Sequence, residues 1–256
     1  MNKLIKNIST VCLFLGALVM TSCNDSVDYE PASSVVDGGT AYLSSSSTSF
    51  VFTPDVKKSF KINVHRASSE NAETIQLLAD NDKFEVPASV DFAAGENIKE
   101  VEIGFNIAIG TSETLNVAIA EENKYTYGIT TLSLSVSLDY TWEKYGTGTY
   151  TSALFGESWP QEVLKAKEAN VYKLPDCITK GYPFVFGLSE DGQTLTQWNI
   201  QPSGYKHSSY GMVYYLPKSM TRDGNTLNFI MNGLVAVEGG YGILFKEFPE
   251  TLEMPK

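Results

Sequence analysis

Six short segments between residues 48 and 139 are apolar at every second position or over continuous stretches. In one of them, Phe60, Ile62 and Val64 alternate with polar residues. A period of two places apolar side chains on one face of a β-strand, and no helical period competes with it here. Strands this close together along the chain predict an antiparallel sandwich. The segments are 48–54, 59–68, 73–80, 98–107, 114–121 and 130–139.

A second series of strand-like segments continues to the C-terminus, at 161–167, 170–175, 183–189, 194–201, 211–217, 226–231, 234–239 and 241–248. Asp191-Gly192 and Asp223-Gly224 separate neighbouring segments and predict type I′ hairpin turns. The residues 163–170 fit either a strand or a short helix. The predicted fold class is all-β: an immunoglobulin-like sandwich over 40–139, then an antiparallel meander over 140–256 that is barrel-like or a second sandwich.

The first block contains Phe84-Glu85-Val86-Pro87 and, shortly after, Val90-Asp91-Phe92-Ala93-Ala94-Gly95-Glu96. These stretches resemble the N-terminal immunoglobulin-like, Calx-beta-type domain of Bacteroidetes surface lipoproteins. The stretch 139–159 also resembles that family, in which a second β-rich domain follows at this point. The resemblance implies a fold and a cellular location for the protein. It implies no particular activity.

Metal binding is not expected. Calx-beta domains that bind calcium carry acidic clusters in their end loops, whereas the corresponding loop here, 109–112, has only Glu113 nearby. The acidic stretch 80–85 lacks the glycine that an EF-hand loop needs at its sixth position, and an Asx-rich turn explains it better. His65 and His207 are the two histidines of the chain, and no zinc motif is present, so we expect no metal and no cofactor.

No catalytic motif is complete. Residues 156–160, GESWP, approach the G-x-S-x-G motif but end in Pro160 and lack a strand-to-helix context. Ser158 would need one of the two histidines within hydrogen-bond reach. Carboxylate pairs such as Glu157 with Glu247 can be drawn, but a sequence does not report their separation. We therefore predict that the protein is not an enzyme, and a hydrolase with an unconventional site is the weakest alternative.

Residues 1–22 have the form of a secretory signal peptide. Lys3 and Lys6 precede a mostly apolar run from 8 to 20, which is shorter than a membrane-spanning helix requires. Met20-Thr21-Ser22-Cys23 resembles the lipobox of bacterial lipoproteins, which implies that Cys23 is acylated and becomes the new N-terminus. The alternative is an ordinary signal peptide followed by a stray cysteine.

Residues 23–39 are predicted to be the acylated cysteine and a flexible tether, because they contain Pro, Ser and Gly and no apolar period. The acidic residues Asp25, Asp28 and Glu30 resemble the signal that sends Bacteroidetes lipoproteins to the outer face of the outer membrane. The expected location is the outer membrane, with a lipid anchor and exposure at the cell surface. The membrane partner is engaged through the lipid on Cys23.

Composition narrows the partners further. Without residues 1–22 the chain has 17 Lys and Arg against 30 Asp and Glu, a net charge of −13. Such a charge excludes nucleic acid as a partner. Cys177 is then the one cysteine besides Cys23, so no internal disulfide is expected, and Cys177 is predicted to be a small buried residue.

Aromatic residues are concentrated in the second block, with 19 Phe, Tyr and Trp in 140–256 against 10 in 23–139. Flat rings in polar surroundings suit stacking on sugar rings. The candidate ligand-binding residues are Trp159, Trp198, Tyr205, Tyr210, Tyr214 and Tyr215. We expect a non-catalytic accessory lipoprotein that binds polysaccharide. The alternative is a structural lipoprotein that binds another envelope protein, as a fimbria-like or transporter-associated subunit.

Overall fold

The computed structural model describes residues 39–256, and in this range the protein is all-β, as the sequence predicts. The predicted signal peptide, Cys23 and all but the last residue of the predicted tether lie outside the described residues. A short 3-10 helix, Glu121–Asn123, interrupts the strands. No helix within 39–256 is both long enough and apolar enough to cross a membrane.

The N-terminal part is a sandwich of two sheets, with four strands in the order β1-β3-β7-β5 and five in the order β2-β9-β8-β4-β6. The strands are β1 Ala41–Ser44, β2 Ser49–Phe52, β3 Ser59–Arg66, β4 Glu73–Ala79, β5 Phe84–Glu85, β6 Ser89–Phe92, β7 Ile98–Phe105, β8 Thr111–Ile119 and β9 Thr131–Leu138. All pairs are antiparallel except β2 with β9. The immunoglobulin-like sandwich predicted for this part is therefore confirmed.

The core of the sandwich follows from the period of two. Ile62 and Val64 of β3 are buried, and so are Val117 and Ile119 of β8 in the opposite sheet, all in one cluster. The intervening residues, such as Lys61, face solvent. Burying a large aliphatic side chain contributes roughly 1.5–3 kcal/mol, so the apolar positions fix both the register and the face of each strand.

The C-terminal part is one sheet of nine strands in the order β14-β13-β12-β11-β10-β18-β17-β16-β15. The strands are β10 Trp142–Ser152, β11 Glu157–Ala166, β12 Val171–Leu174, β13 Phe184–Leu188, β14 Leu195–Gln197, β15 Gln201–His207, β16 Gly211–Asp223, β17 Thr226–Val237 and β18 Gly240–Glu253. Every strand pairs antiparallel with its neighbours, and the last strand, β18, pairs with the first, β10.

This sheet curls until its two ends meet. The side-chain amide of Gln201 in β15 accepts from the backbone N–H of Val185 in β13 at 2.7 Å and donates to its carbonyl at 2.8 Å. Gly204, at φ +79°, leaves room for Thr179 and Tyr182, which a Cβ at this position would meet within 2.5 Å. The curled sheet encloses a second hydrophobic core. Of the two predicted forms of the meander, barrel-like or a second sandwich, the structure therefore has the barrel-like one.

Several local predictions differ from the structure. The segments 226–231 and 234–239 are a single strand, since Gly233 does not break it but makes room for the ring of Phe245. The ambiguous residues 163–166 belong to a strand, β11. Type I′ turns do not form, because Gly192 and Gly224 have positive φ and the neighbouring Asp and Asn residues do not. The mostly polar strands β10 and β15 lack the apolar alternation that would have predicted them.

Candidate functional site

A cavity of about 730 Å³ opens where β11 and β12 diverge. These strands pair only through Leu164 with Lys173 and Lys165 with Tyr172, so the first half of β11 pairs with β10 alone. The segment 175–179, which follows β12, forms the other wall. The Gln161 side chain spans the gap by donating to the carbonyl of Pro175 at 2.8 Å. The volume falls in the usual range for small-molecule sites, about 300–1,000 Å³.

Three aromatic rings from three different elements line the cavity: Phe155 of the β10–β11 turn, Trp159 of β11 and Tyr205 of β15. The rings of Phe155 and Tyr205 meet edge to face, with centroids 5.3 Å apart. Trp159 packs on the buried ring of Tyr150 at 5.2 Å, and its Nε1 donates to Oε1 of Gln161 at 3.2 Å. These contacts fix the Trp159 ring while leaving the side chain partly exposed to the cavity.

Carboxylates complete the lining. Glu157 and Trp159 lie on the same face of β11, because they are two residues apart, and Glu157 is exposed. Asp176 has φ +52°, a left-handed conformation that is uncommon outside glycine, and its Oδ1 accepts from the N–H of Gly181 at 2.5 Å. Glu162 is the third carboxylate, and it pairs with Lys144 at 3.7 Å. Among the described residues, no lysine or arginine lines the cavity.

A buried polar cluster lies behind the cavity wall. Glu250 is fully buried, and its Oε1 accepts from the Ser152 hydroxyl at 2.7 Å. Within residues 39–256, its Oε2 and the hydroxyls of Tyr150 and Tyr215 have no hydrogen-bond partner. Burial raises the pKa of Glu250 to about 7, against a smaller lowering by Ser152. Burial, and then the proximity of Glu250, raise the pKa of Cys177, which links the cluster to the cavity that Cys177 lines.

Two of the predicted ligand-binding residues belong to the core. The Trp198 ring lies 5.4 Å from Phe184 and 5.8 Å from Phe186, and its Nε1 donates to the carbonyl of Tyr215 at 3.3 Å. Tyr215 is fully buried and stacks on Phe184 at 5.3 Å. Neither ring lines the cavity: Tyr215 is buried inside the curled sheet, and Trp198 is partly buried and packs against the same core.

Tyr210 and Tyr214 lie elsewhere on the surface. Tyr210, 59% exposed, lies in the β15–β16 turn beside His207, with ring centroids 5.1 Å apart. Tyr214 packs edge to face on Tyr241 at 5.0 Å, on the other face of β16 from Tyr215. Of the six predicted aromatic residues, the structure therefore brings Trp159 and Tyr205 to one site and disperses the other four.

The residues weighed for catalysis have other partners. The Ser158 hydroxyl bonds with that of Thr151 at 2.8 Å. His65 bonds with the hydroxyl of Ser44 at 2.7 Å, and His207 accepts from the N–H of Ser209 at 3.2 Å. Across residues 39–256, neither imidazole hydrogen-bonds with Ser158, and no three His, Cys, Asp or Glu side chains are placed to hold a metal ion.

Three residues at or behind the cavity were missed from the sequence: Phe155, Asp176 and Glu250. Phe155 lies in a short turn, and Asp176 follows a proline, and neither position carries a signal of function. Glu250 did carry a signal, because it occupies an inward position between Phe248 and Leu252 in a strand pattern. A carboxylate in an apolar alternation is an unusual core residue.

The chain matches no protein-family model and no curated protein. Solved structures with a similar arrangement include two proteins of unknown function and one multidomain protein including DUF1735, all from Bacteroides ovatus. Their identities are 13, 10 and 12%; each match covers 84% of this chain and 93, 89 and 92% of the other, with TM-scores of 0.37, 0.43 and 0.40. The calcium-binding domain CBD12 of CALX1.1 is similar at 11% identity over 57% of this chain and 80% of that one, with a TM-score of 0.33.

Proposed function

We propose that this protein is a non-catalytic accessory lipoprotein of the outer membrane that binds glycan in the cavity beside β11. The observation that carries the proposal is the meeting of Phe155, Trp159 and Tyr205 around one opening of about 730 Å³. A sugar presents apolar ring faces together with hydroxyls. The aromatic rings supply flat contact area at low entropic cost, and Glu157 and Asp176 supply acceptors for hydroxyl groups.

The anchor and the address of the proposal rest on the sequence alone. The lipobox-like Met20-Thr21-Ser22-Cys23 and the acidic residues that follow support acylation and display at the cell surface. A surface lipoprotein without a catalytic motif suits the capture of polysaccharide for other proteins to process.

The test is calorimetry of the mature chain against a panel of soluble polysaccharides and oligosaccharides. We expect binding to one glycan class, and a loss of about five- to thirtyfold in affinity for Trp159→Ala and Tyr205→Ala, since one stacked ring contributes roughly 1–2 kcal/mol. Tyr210→Ala is the matched control, because this exposed ring lies outside the cavity, and it should bind as the unaltered protein does.

Circular dichroism of each variant shows whether the fold is intact, which matters because Trp159 packs on Tyr150. An absence of binding across the panel would overturn the proposal. Equal affinity of the folded Trp159→Ala and Tyr205→Ala proteins for the glycan would place the ligand elsewhere and overturn it as well.

A second candidate function, binding of another envelope protein, is favoured by a different surface. The β17–β18 hairpin exposes Val237, Tyr241 and Ile243 to 52, 48 and 59%. Crosslinking on intact cells should recover one defined partner, and Ile243→Asp should abolish its recovery if the hairpin is the contact surface.

A further inference from the structure

The charge around the cavity restricts the glycan that it can hold. Glu157, Glu162 and Asp176 line the cavity, and no lysine, arginine or histidine of the described residues lines it. Glu162 is paired with Lys144. Within the described part of the chain, neither Glu157 nor Asp176 forms a salt bridge, so two carboxylates face the cavity without a protein cation.

Aromatic rings and carboxylates together form the kind of site that binds ammonium groups. The faces of Trp, Tyr and Phe attract a cation, and desolvation strengthens that attraction. A neutral sugar placed here would cover part of two carboxylates without supplying a countercharge, which costs free energy. An anionic sugar would add a repulsion between like charges. A ligand with one positive charge satisfies both the rings and the carboxylates.

The buried cluster behind the same wall contains a carboxyl group and no base. Glu250 is fully buried, its Oε2 has no hydrogen-bond partner within residues 39–256, and it lies close enough to Cys177 of the cavity wall to raise the pKa of that thiol. No basic side chain is paired with Glu250 among the described residues. The cluster therefore supplies no countercharge to Glu157 and Asp176.

We propose that the cavity is specific for amino sugars with a free amine, and that Glu157 and Asp176 hold the ammonium group beside the rings of Phe155, Trp159 and Tyr205. This inference rests on the proposed function and narrows its ligand class. It also assigns a role to Asp176, whose left-handed backbone holds the carboxylate at the cavity beside its bond to Gly181.

The test compares oligosaccharides of equal length by calorimetry with the full mature chain at pH 6. The oligosaccharides are a glucosamine oligomer, its N-acetylated form and a glucose oligomer with the same linkage. We expect the glucosamine oligomer to bind at least tenfold more tightly than either neutral oligomer. Glu157→Gln and Asp176→Asn should each weaken its binding about fivefold, as expected from the loss of one charge near 4 Å in water.

Each variant preserves the local structure and has a matched control. Asn tolerates the left-handed conformation of Asp176, and its side-chain oxygen can still accept from Gly181. Asp223→Asn removes a charge from the exposed β16–β17 turn, outside the cavity, and should leave the affinity unchanged. Rising salt concentration should weaken binding of the glucosamine oligomer and leave binding of the neutral oligomers unchanged.

The outcomes separate the two proposals. Equal or tighter binding of a neutral oligomer would overturn the preference for an amine and leave glycan binding intact. If ethylammonium binds as tightly as the glucosamine oligomer, the site recognises the cation alone, and the proposal that its ligand is an amino sugar would be overturned. If no oligosaccharide binds at all, the proposed function fails, and this inference fails with it.

Discussion

At the scale of single residues, Glu250 stands out in the C-terminal domain. It occupies an inward position of β18, where Phe248 and Leu252 on either side are core residues. A carboxyl group in such a position is destabilising when ionised, because burial removes its hydration and no cation replaces it. The folded protein therefore holds the proton of Glu250 more tightly than the unfolded chain does.

This difference predicts how stability depends on pH. The pKa of Glu250 rises from 4.5 to about 7 on folding, so the folded state binds the extra proton between these values. Its contribution is fully present below pH 4.5 and is lost as the pH rises through 7. Glu250→Gln imitates the protonated form. Its free energy of unfolding relative to the unaltered protein should therefore rise by about 3 kcal/mol between pH 4 and pH 8.

Urea denaturation of the two proteins at pH 4, 6 and 8 measures this difference directly. The neighbouring groups Tyr150, Tyr215 and Cys177 remain neutral over this range, because burial raises the pKa of each. Carboxylates far from Glu250, such as Glu102 and Glu113, have lowered pKa values because lysines bond to them; they act in both proteins alike, so their effect cancels. A pH-independent difference between the proteins would show that folding does not raise the pKa of Glu250, and it would contradict the prediction.

At the scale of strands, the sequence predicted the strands that have alternating apolar residues and missed strands that lack this alternation. The segments around Phe60 to Val64 and Val101 to Phe105 were predicted as strands because every second residue in them is apolar, and these apolar residues are the buried ones. The strands β10 and β15 depend on neighbours instead: β10 joins β11 to β18, and β15 is held by Gln201 and Gly204. Contacts of this kind are set by tertiary structure and leave no local pattern.

The candidate site follows the same division. An aromatic surplus in the second domain was visible from composition, but no local pattern separates Trp159, which lines the cavity, from Trp198, which packs against the core away from it. The difference arises from the divergence of β11 and β12 after two residue pairs. That divergence depends on the path of the segment 175–183, whose turn at Asp176 has no sequence signature.

At the scale of the whole molecule, the described residues form an immunoglobulin-like sandwich and a curled sheet with a cavity, and the cysteine proposed to be acylated precedes them. The sandwich has a hydrophobic core of its own. A net charge of −13 on the mature chain also opposes contact with anionic headgroups, so the proposed anchor is the lipid alone.

Lipidation predicts a change in location for one cysteine variant and none for another. Cys23→Ala should abolish metabolic labelling by a fatty-acid analogue and prevent release of the mature N-terminus. Cys177→Ala is the matched control, because this buried thiol lies inside the second domain, and the protein should still be labelled and recovered with the outer membrane. Labelling of the Cys23→Ala protein would contradict the assignment of the anchor.

The central claim is that the cavity beside β11 is the ligand site, and hydrogen–deuterium exchange with and without a saturating glucosamine oligomer tests it most directly. Backbone amides on the unpaired edge of β11 and in the facing segment have few hydrogen bonds of their own, so a ligand there should slow their exchange. We predict protection confined to residues 157–162 and 175–179, with none at the β17–β18 hairpin. Protection at residues 237–243, or binding that leaves both cavity walls unprotected, would contradict the account.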